Sequence, residues 1–124
     1  YRVLPGRENR AMAGLSMGSY QTQAAAFLNP DVFDYIGVFS GSIIARFAGS
    51  IDLTACFADA DVFNSQHKLL FYSKGLQEGG QEMLDELAGL TARGIRLEAF
   101  TCPGVHEWQF WRKSAHAFAQ KLFK

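Results

Sequence analysis

Arg10-Ala11-Met12-Ala13-Gly14-Leu15-Ser16-Met17-Gly18 decides how this chain is read. A short apolar run leads into a glycine-flanked serine, and a helical pattern follows from Met17 to Leu28. Arg10 to Leu15 is expected to be a strand buried on both faces, because a parallel strand covered on both sides reads as a continuous apolar run. Met17, Tyr20, Ala24, Phe27 and Leu28 recur at helical spacing, which predicts a helix. Asn29-Pro30 ends it, since proline cannot continue a helix. A serine between small residues at a strand-to-helix turn is the pattern of a nucleophile elbow. Such a serine is held in a sparsely populated backbone conformation. Gly14 and Gly18 are both expected to let strand and helix approach without a Cβ clash. Ser16 then stands at a helix N-terminus, where free N–H groups and the dipole favour an anion. The N–H of Met17 is the expected first donor to an oxyanion.

Outward from this stretch, strands and helices alternate. Residues 1–9, with Pro5-Gly6, read as loop. Tyr35 to Phe39 is a second buried strand, closed by Ser40-Gly41. Residues 42–66 show no clean period, and so long an irregular connection in a small domain is usually functional or covering. Lys68 to Tyr72 is the third strand, with Ser73 to Gly80 as the loop at its carboxyl end. Glu82 to Arg93 predicts an amphipathic helix burying Met83, Leu84, Leu87 and Leu90, capped by Gly94. Ile95 to Phe100 alternates and reads as an edge-type strand. After the loop Cys102-Pro103-Gly104-Val105-His106, Trp108 to Phe123 predicts a last helix burying Trp111, Ala115, Phe118 and Leu122. The order implies one α/β domain over residues 1–124, a parallel sheet sandwiched between helical layers with right-handed crossovers. Ligands of such sheets bind outside the carboxyl ends of the strands. Ser16, Glu78 and His106 all fall at that rim.

The 124 residues suffice for one core. Twelve basic and twelve acidic side chains balance to zero formal charge, which argues against a nucleic-acid partner. No apolar run nears the ~20 residues of a membrane span. No signal peptide is visible, and the chain opens at Tyr1 in what reads as mid-domain. Cys56 and Cys102 show no metal spacing and do not decide a redox compartment.

A serine hydroxyl needs a base to become a nucleophile. His106 is the expected base, lying between the last strand and the last helix where the order serine, acid, histidine requires it. His67 stands at the amino end of a strand and His116 inside the last helix, so both are weaker candidates. The acid would fix the imidazole tautomer and stabilise the imidazolium. Glu78 is the first candidate and Glu82 the next; Asp85 reads as solvated, and Asp59 and Asp61 stay open. A second oxyanion donor should come from a loop after an earlier strand, and no strand precedes the elbow. Trp111 reads as core, whereas Trp108 could equally line an aromatic acyl pocket.

The elbow with Gln21-Thr22, the run Tyr35-Ile36-Gly37-Val38-Phe39-Ser40-Gly41, Phe57-Ala58-Asp59, and Pro103-Gly104-Val105-His106-Glu107-Trp108 with Trp111-Arg112 together resemble the esterase D-like, feruloyl-esterase-type α/β-hydrolases. These are carbohydrate esterases often attached to xylanases. The resemblance runs from about Arg10 to the end. It implies a truncated α/β-hydrolase fold, the carboxyl-terminal half of such an enzyme, with Ser16 as nucleophile, His106 as base and Glu78 as acid. It also implies substrate contacts at Gln21 and Trp108, no cofactor and no metal. The activity it implies is acyl-enzyme hydrolysis of hydroxycinnamoyl or small acyl esters of plant polysaccharides, in a secreted or periplasmic setting. Two departures stand out: Gly18-Ser19 replaces the family's usual Gly-Gly, and members are roughly twice this length. A sheet stopped at the elbow strand exposes an edge, so a homo-oligomer is expected, with the sheet continued across two subunits. The competing reading is a catalytically silent scaffold that binds aromatic or carbohydrate ligands.

Overall fold

A computed structural model describes residues 1–42 and 51–124. Among these residues, four strands form one parallel sheet in the order β1 (Ala11–Leu15), β2 (Tyr35–Phe39), β3 (Leu69–Gly75) and β4 (Glu98–Cys102). The helices are α1 (Met17–Phe27), α2 (Ala60–Gln66), α3 (Gln81–Ala92) and α4 (Trp108–Ala119). Side chains alternate across a strand, so each apolar strand serves two cores. Ile36, Val38, Leu70 and Tyr72 face α1, α2 and α3, where Phe27, Phe63, Met83, Leu87 and Leu90 complete one core. Tyr35, Phe39 and Phe71 face α4 and pack on Phe110, Trp111 and Phe118. The result is the three-layer sandwich that the alternation of elements predicts.

Several elements depart from the sequence expectation. All five residues of β2 are buried, as its apolar run predicts. β1 is not buried on both faces: among the described residues it pairs only with β2, and none of its own residues is fully buried. Its apolar character suits a central strand, but among the described residues it is an edge. Of the irregular stretch, residues 43–50 lie outside those described, while Thr54–Phe57 forms a 3-10 turn and 60–66 forms α2. The Asp59 side chain accepts the Val62 N–H at 3.0 Å and so caps α2, which is an ordinary N-cap role.

β3 runs on to Gly75, three residues past its apolar core, because the ladder to β4 continues through Gly75 and Cys102. β4 starts at Glu98 rather than Ile95; Ile95 is buried, but as a linker residue packed under α3. α4 ends at Ala119, and its buried stripe is Phe110, Trp111, Ser114 and Phe118, not one that includes Ala115.

α1 buries a largely polar face. Its buried residues are Ser19, Thr22, Gln23, Ala26 and Phe27, while Met17 and Leu28 are exposed. Hydrogen bonds permit this polar face. Tyr72 Oη donates to Gln23 Oε1 at 2.8 Å, and Gln23 Nε2 donates to the Ser42 carbonyl at 2.8 Å. A buried amide satisfied at both ends carries no desolvation penalty of an unpaired group. Burial around the Tyr72 phenol, with Glu86 nearby, pushes its pKa well above the usual value, so it stays a donor.

Candidate active site

The site is built at the carboxyl rim from the ends of β1, β2, β3 and β4. Ser16 follows β1 with φ 53° and ψ −122°, a conformation that non-glycine residues rarely adopt. Bonds on both sides hold it there. Its N–H donates to the Phe39 carbonyl at 2.9 Å, extending the sheet ladder. Its carbonyl accepts the Ser19 N–H at 3.1 Å and the Ser19 hydroxyl at 2.5 Å.

The two flanking glycines differ. A Cβ on Gly14 would lie 2.1 Å from the Gly18 carbonyl oxygen and 2.5 Å from Thr22 Oγ1, so this position tolerates no side chain. A Cβ on Gly18 would meet nothing within 4 Å. The expectation of two sterically required glycines is therefore corrected to one: Gly18 contributes its backbone to the close approach and Gly14 its missing side chain. The departure Gly18-Ser19 is accommodated on the facing loop. A Cβ on Gly41 would fall 1.6 Å from Ser19 Oγ, so the extra hydroxyl occupies the room left by Gly41.

Glu78 and His106 come together because the loops after β3 and β4 are zipped to each other. Leu76 N–H donates to the Cys102 carbonyl, Gln77 N–H to the Gly104 carbonyl, each at 3.0 Å, and Gly104 N–H to Gln77 Oε1 at 2.6 Å. Gly75 is needed here, since a Cβ would lie 2.4 Å from the Gly104 oxygen. The Glu78 side chain is 6% exposed, and that of His106 is 50% exposed.

His106 Nδ1 lies 2.8 Å from Glu78 Oε1, and its Nε2 lies 2.9 Å from Ser16 Oγ. A carboxylate only accepts, so Nδ1 carries the proton and Nε2 offers a lone pair to the serine hydroxyl. The imidazole meets the Trp111 ring edge to face, with centroids 4.9 Å apart. Met17 is the first residue of α1, so its N–H has no carbonyl partner within the helix.

These groups open onto a cavity of about 670 Å³ whose lining includes Ser16, Met17, Tyr20, Lys74, Glu82 and Glu86. Glu82 thus borders the cavity, while Glu78 alone of the candidate acids bonds His106. Asp61 and Asp85 are exposed on their helices. His67 is buried at the opposite rim, and His116 is exposed on α4 beside Gln120. Gln21 is exposed on α1 and does not line the cavity. Trp108 is 68% exposed, also outside the lining, and packs edge-on against Trp111 at 5.4 Å. Cys56 and Cys102 are both free thiols.

Two features of the site went unread in the sequence. Trp111, taken as core, also touches the imidazole. Ser40, which reads in the sequence as a strand terminator, bonds Glu78. The one sequence signal for Ser40 is that a serine closes β2 at the same height as Ser16 closes β1.

No protein-family model matches the chain. It is 30% identical over 118 residues to an endo-1,4-beta-xylanase/feruloyl esterase of Xylanibacter ruminicola, covering 94% of this chain and 14% of that protein. Its fold matches the fluorophosphonate-binding serine hydrolase F of Staphylococcus aureus with a TM-score of 0.75 at 20% identity, over 92% of this chain and 54% of the other. It matches the ferulic acid esterase of the anaerobic fungus Anaeromyces mucronatus with a TM-score of 0.73 at 24% identity, over 99% and 47%. The chain therefore spans about half the length of these structural relatives and a small part of the curated one. In fold it is an α/β-hydrolase unit of parallel strands and flanking helices, and in sequence it resembles the feruloyl-esterase type.

Proposed function

We propose that this chain is the catalytic portion of a serine carboxylesterase acting on feruloyl, other hydroxycinnamoyl or small acyl esters of plant polysaccharides. One observation carries the reading: an unbroken line of hydrogen bonds from Glu78 Oε1 through both nitrogens of His106 to Ser16 Oγ. Ser16 Oγ attacks the ester carbon as His106 Nε2 takes its proton. The Met17 N–H bonds the oxygen that becomes negative. His106 then gives the proton to the leaving alcohol oxygen, and an acyl-enzyme ester on Ser16 remains. Water attacks that ester, its proton passing to Nε2 and then to Ser16 Oγ, which releases the free acid. Glu78 stays ionised throughout and stabilises the imidazolium. The xylanase/feruloyl esterase likeness supports the acyl class, and the cavity beside Ser16 supports a substrate of more than acetyl size.

Hydrolysis of p-nitrophenyl acetate and of methyl ferulate, each with a Ser16→Ala control, tests the reading. Turnover by the wild type that the control abolishes is the expected result. Equal rates for the two proteins overturn it.

A second reading has its own support. β1 is a sheet edge, and among the described residues no strand lies beyond it to supply a second oxyanion donor. Loss of one such donor typically costs ~10²–10³ in rate. On that reading the isolated chain is a weak or silent scaffold until another polypeptide, a second copy included, adds to the β1 edge. Light scattering separates the cases: a monodisperse monomer with full turnover removes the need for any addition.

A further inference from the structure

The acyl-transfer steps above make no use of Ser40, yet its surroundings are as constrained as those of Ser16. Leu15 and Phe39 are paired across β1 and β2, and the serine after each has positive φ, 53° for Ser16 and 51° for Ser40. Both continue the ladder by one bond; Ser40 N–H donates to the Ser73 carbonyl at 2.8 Å. The rim thus carries two serines of the same backbone type side by side, one aimed at His106 and the other at Glu78.

The Ser40 hydroxyl has a single possible orientation. Trp111 Nε1 lies 2.9 Å from Ser40 Oγ, and Glu78 Oε2 lies 3.0 Å from it. An indole N–H only donates and a carboxylate only accepts. Ser40 Oγ is therefore the acceptor from Trp111, and its one proton goes to Glu78. Glu78 Oε2 also accepts the Gly75 N–H. With two donors on Oε2, the carboxylate cannot rotate without breaking both, and Oε1 is left to His106. Trp111 is 9% exposed and packed in the α4 core, so the hydroxyl is oriented by a ring that is itself held firmly. That same ring lies edge to face with His106.

We infer that Ser40, oriented by Trp111, is a positioning residue that commits one oxygen of Glu78 to the His106 Nδ1–H. It acts through Glu78, and the inference rests on the esterase reading given above. A second-layer donor of this kind matters because a histidine whose carboxylate swings spends less time aimed at its serine, which lowers turnover without altering how ester binds.

The test uses two readouts, one of which needs no turnover. The first is the proton resonance of His106 Nδ1–H and its exchange with water, followed by NMR. The second is kcat and KM for p-nitrophenyl acetate. Ser40→Gly suits the positive φ and removes the hydroxyl; Ser40→Ala keeps the Cβ and serves if the glycine variant folds poorly. Either should broaden the Nδ1–H signal by faster exchange and lower kcat about tenfold with KM unchanged, the size of one charge-assisted hydrogen bond. Trp111→Phe keeps the ring and removes the donor, and should move both readouts the same way by about threefold. In a Glu78→Gln background, Ser40→Gly should change nothing further. An Nδ1–H signal in Ser40→Gly and Ser40→Ala that matches the wild type overturns the inference, as do Ser40 and Glu78 effects that simply multiply. Ser16→Ala judges the esterase reading separately: if it is as active as the wild type, that reading fails while the NMR comparison still decides what Ser40 does.

Discussion

The two rims of the sheet hold nearly the same side chains and put them to different uses. At the amino rim, Asp34 is buried beneath Arg7, whose Nε lies 3.1 Å away, with Lys68 Nζ at 3.9 Å. His67 sits beside them, 3% exposed, its Nδ1 3.2 Å from the Phe33 carbonyl. At the carboxyl rim, a buried carboxylate again meets a histidine, but that histidine is half exposed and faces a strained serine over a cavity. The amino rim pairs its carboxylate with permanent cations and points its imidazole at a backbone carbonyl. The Arg7 guanidinium also reaches the carbonyls of Pro30 and Ser65, tying the turn before β2 to the end of α2. That arrangement is a clasp. A carboxylate and a histidine occur at both rims; the cations beside one carboxylate, the access, and the atom each imidazole nitrogen faces separate them.

Breaking the carboxyl rim should remove chemistry and leave the fold. Ser16→Ala should reduce ester hydrolysis by about 10³-fold or more with an unchanged circular dichroism spectrum. Glu78→Gln should lower kcat about 10²-fold or more, because the amide can favour the wrong imidazole tautomer. Burst kinetics with a chromogenic ester would report both. A smaller effect sharpens the contrast within the elbow itself. Gly14→Ala should cost about 3 kcal/mol of unfolding free energy, since the new methyl overlaps backbone that cannot move aside. Gly18→Ala should stay within about 0.5 kcal/mol in urea denaturation, a surface substitution that meets nothing.

Breaking the amino rim should do the reverse. Asp34→Ala should lower stability by about 2 kcal/mol, less than a fully buried pair costs because Arg7 and Lys68 still reach water. The rate per folded molecule should not change.

A further contrast concerns pH. Burial holds the His67 pKa below its usual 6.5. Below pH 6.5 the unfolded chain takes up a proton there that the folded chain refuses. Stability therefore rises with pH between the folded value and 6.5, and falls as pH drops through that window, by at most about 1.4 kcal/mol per pH unit. His67→Asn, which keeps a donor for the Phe33 carbonyl, should flatten this slope in pH-dependent thermal melts. An unchanged slope would mean that other groups carry the acid sensitivity.

How far the sequence could be read differs from feature to feature. The strand Tyr35–Phe39 was legible because a short apolar run closed by Ser40-Gly41 suits a covered strand, and here strands flank it on both sides. α3 was legible because Met83, Leu87 and Leu90 recur at helical spacing and the buried face is the apolar one. α1 was legible in part: Phe27 is buried and Tyr20 and Ala24 pack against the same core, but its buried face also contains Ser19, Thr22 and Gln23, and no periodicity reveals a polar face satisfied by Tyr72 and Ser42. The site follows suit. Ser16, Glu78 and His106 could be singled out because each ends a strand in the required order. Ser40 and Trp111 could not, because their partners are remote in the chain and are met only across the sheet.

Local sterics and periodicity act over a few residues, so the sequence by itself determined the alternation of strands and helices, the strained serine between β1 and α1, and the rim at which chemistry could gather. Which glycine has no room for a side chain, which face of α1 goes inward and which carboxylate oxygen is left for His106 were decided by the tertiary structure alone. Each of those depends on atoms brought together from distant parts of the chain, and hydrogen-bond direction and close packing exist only once they have met.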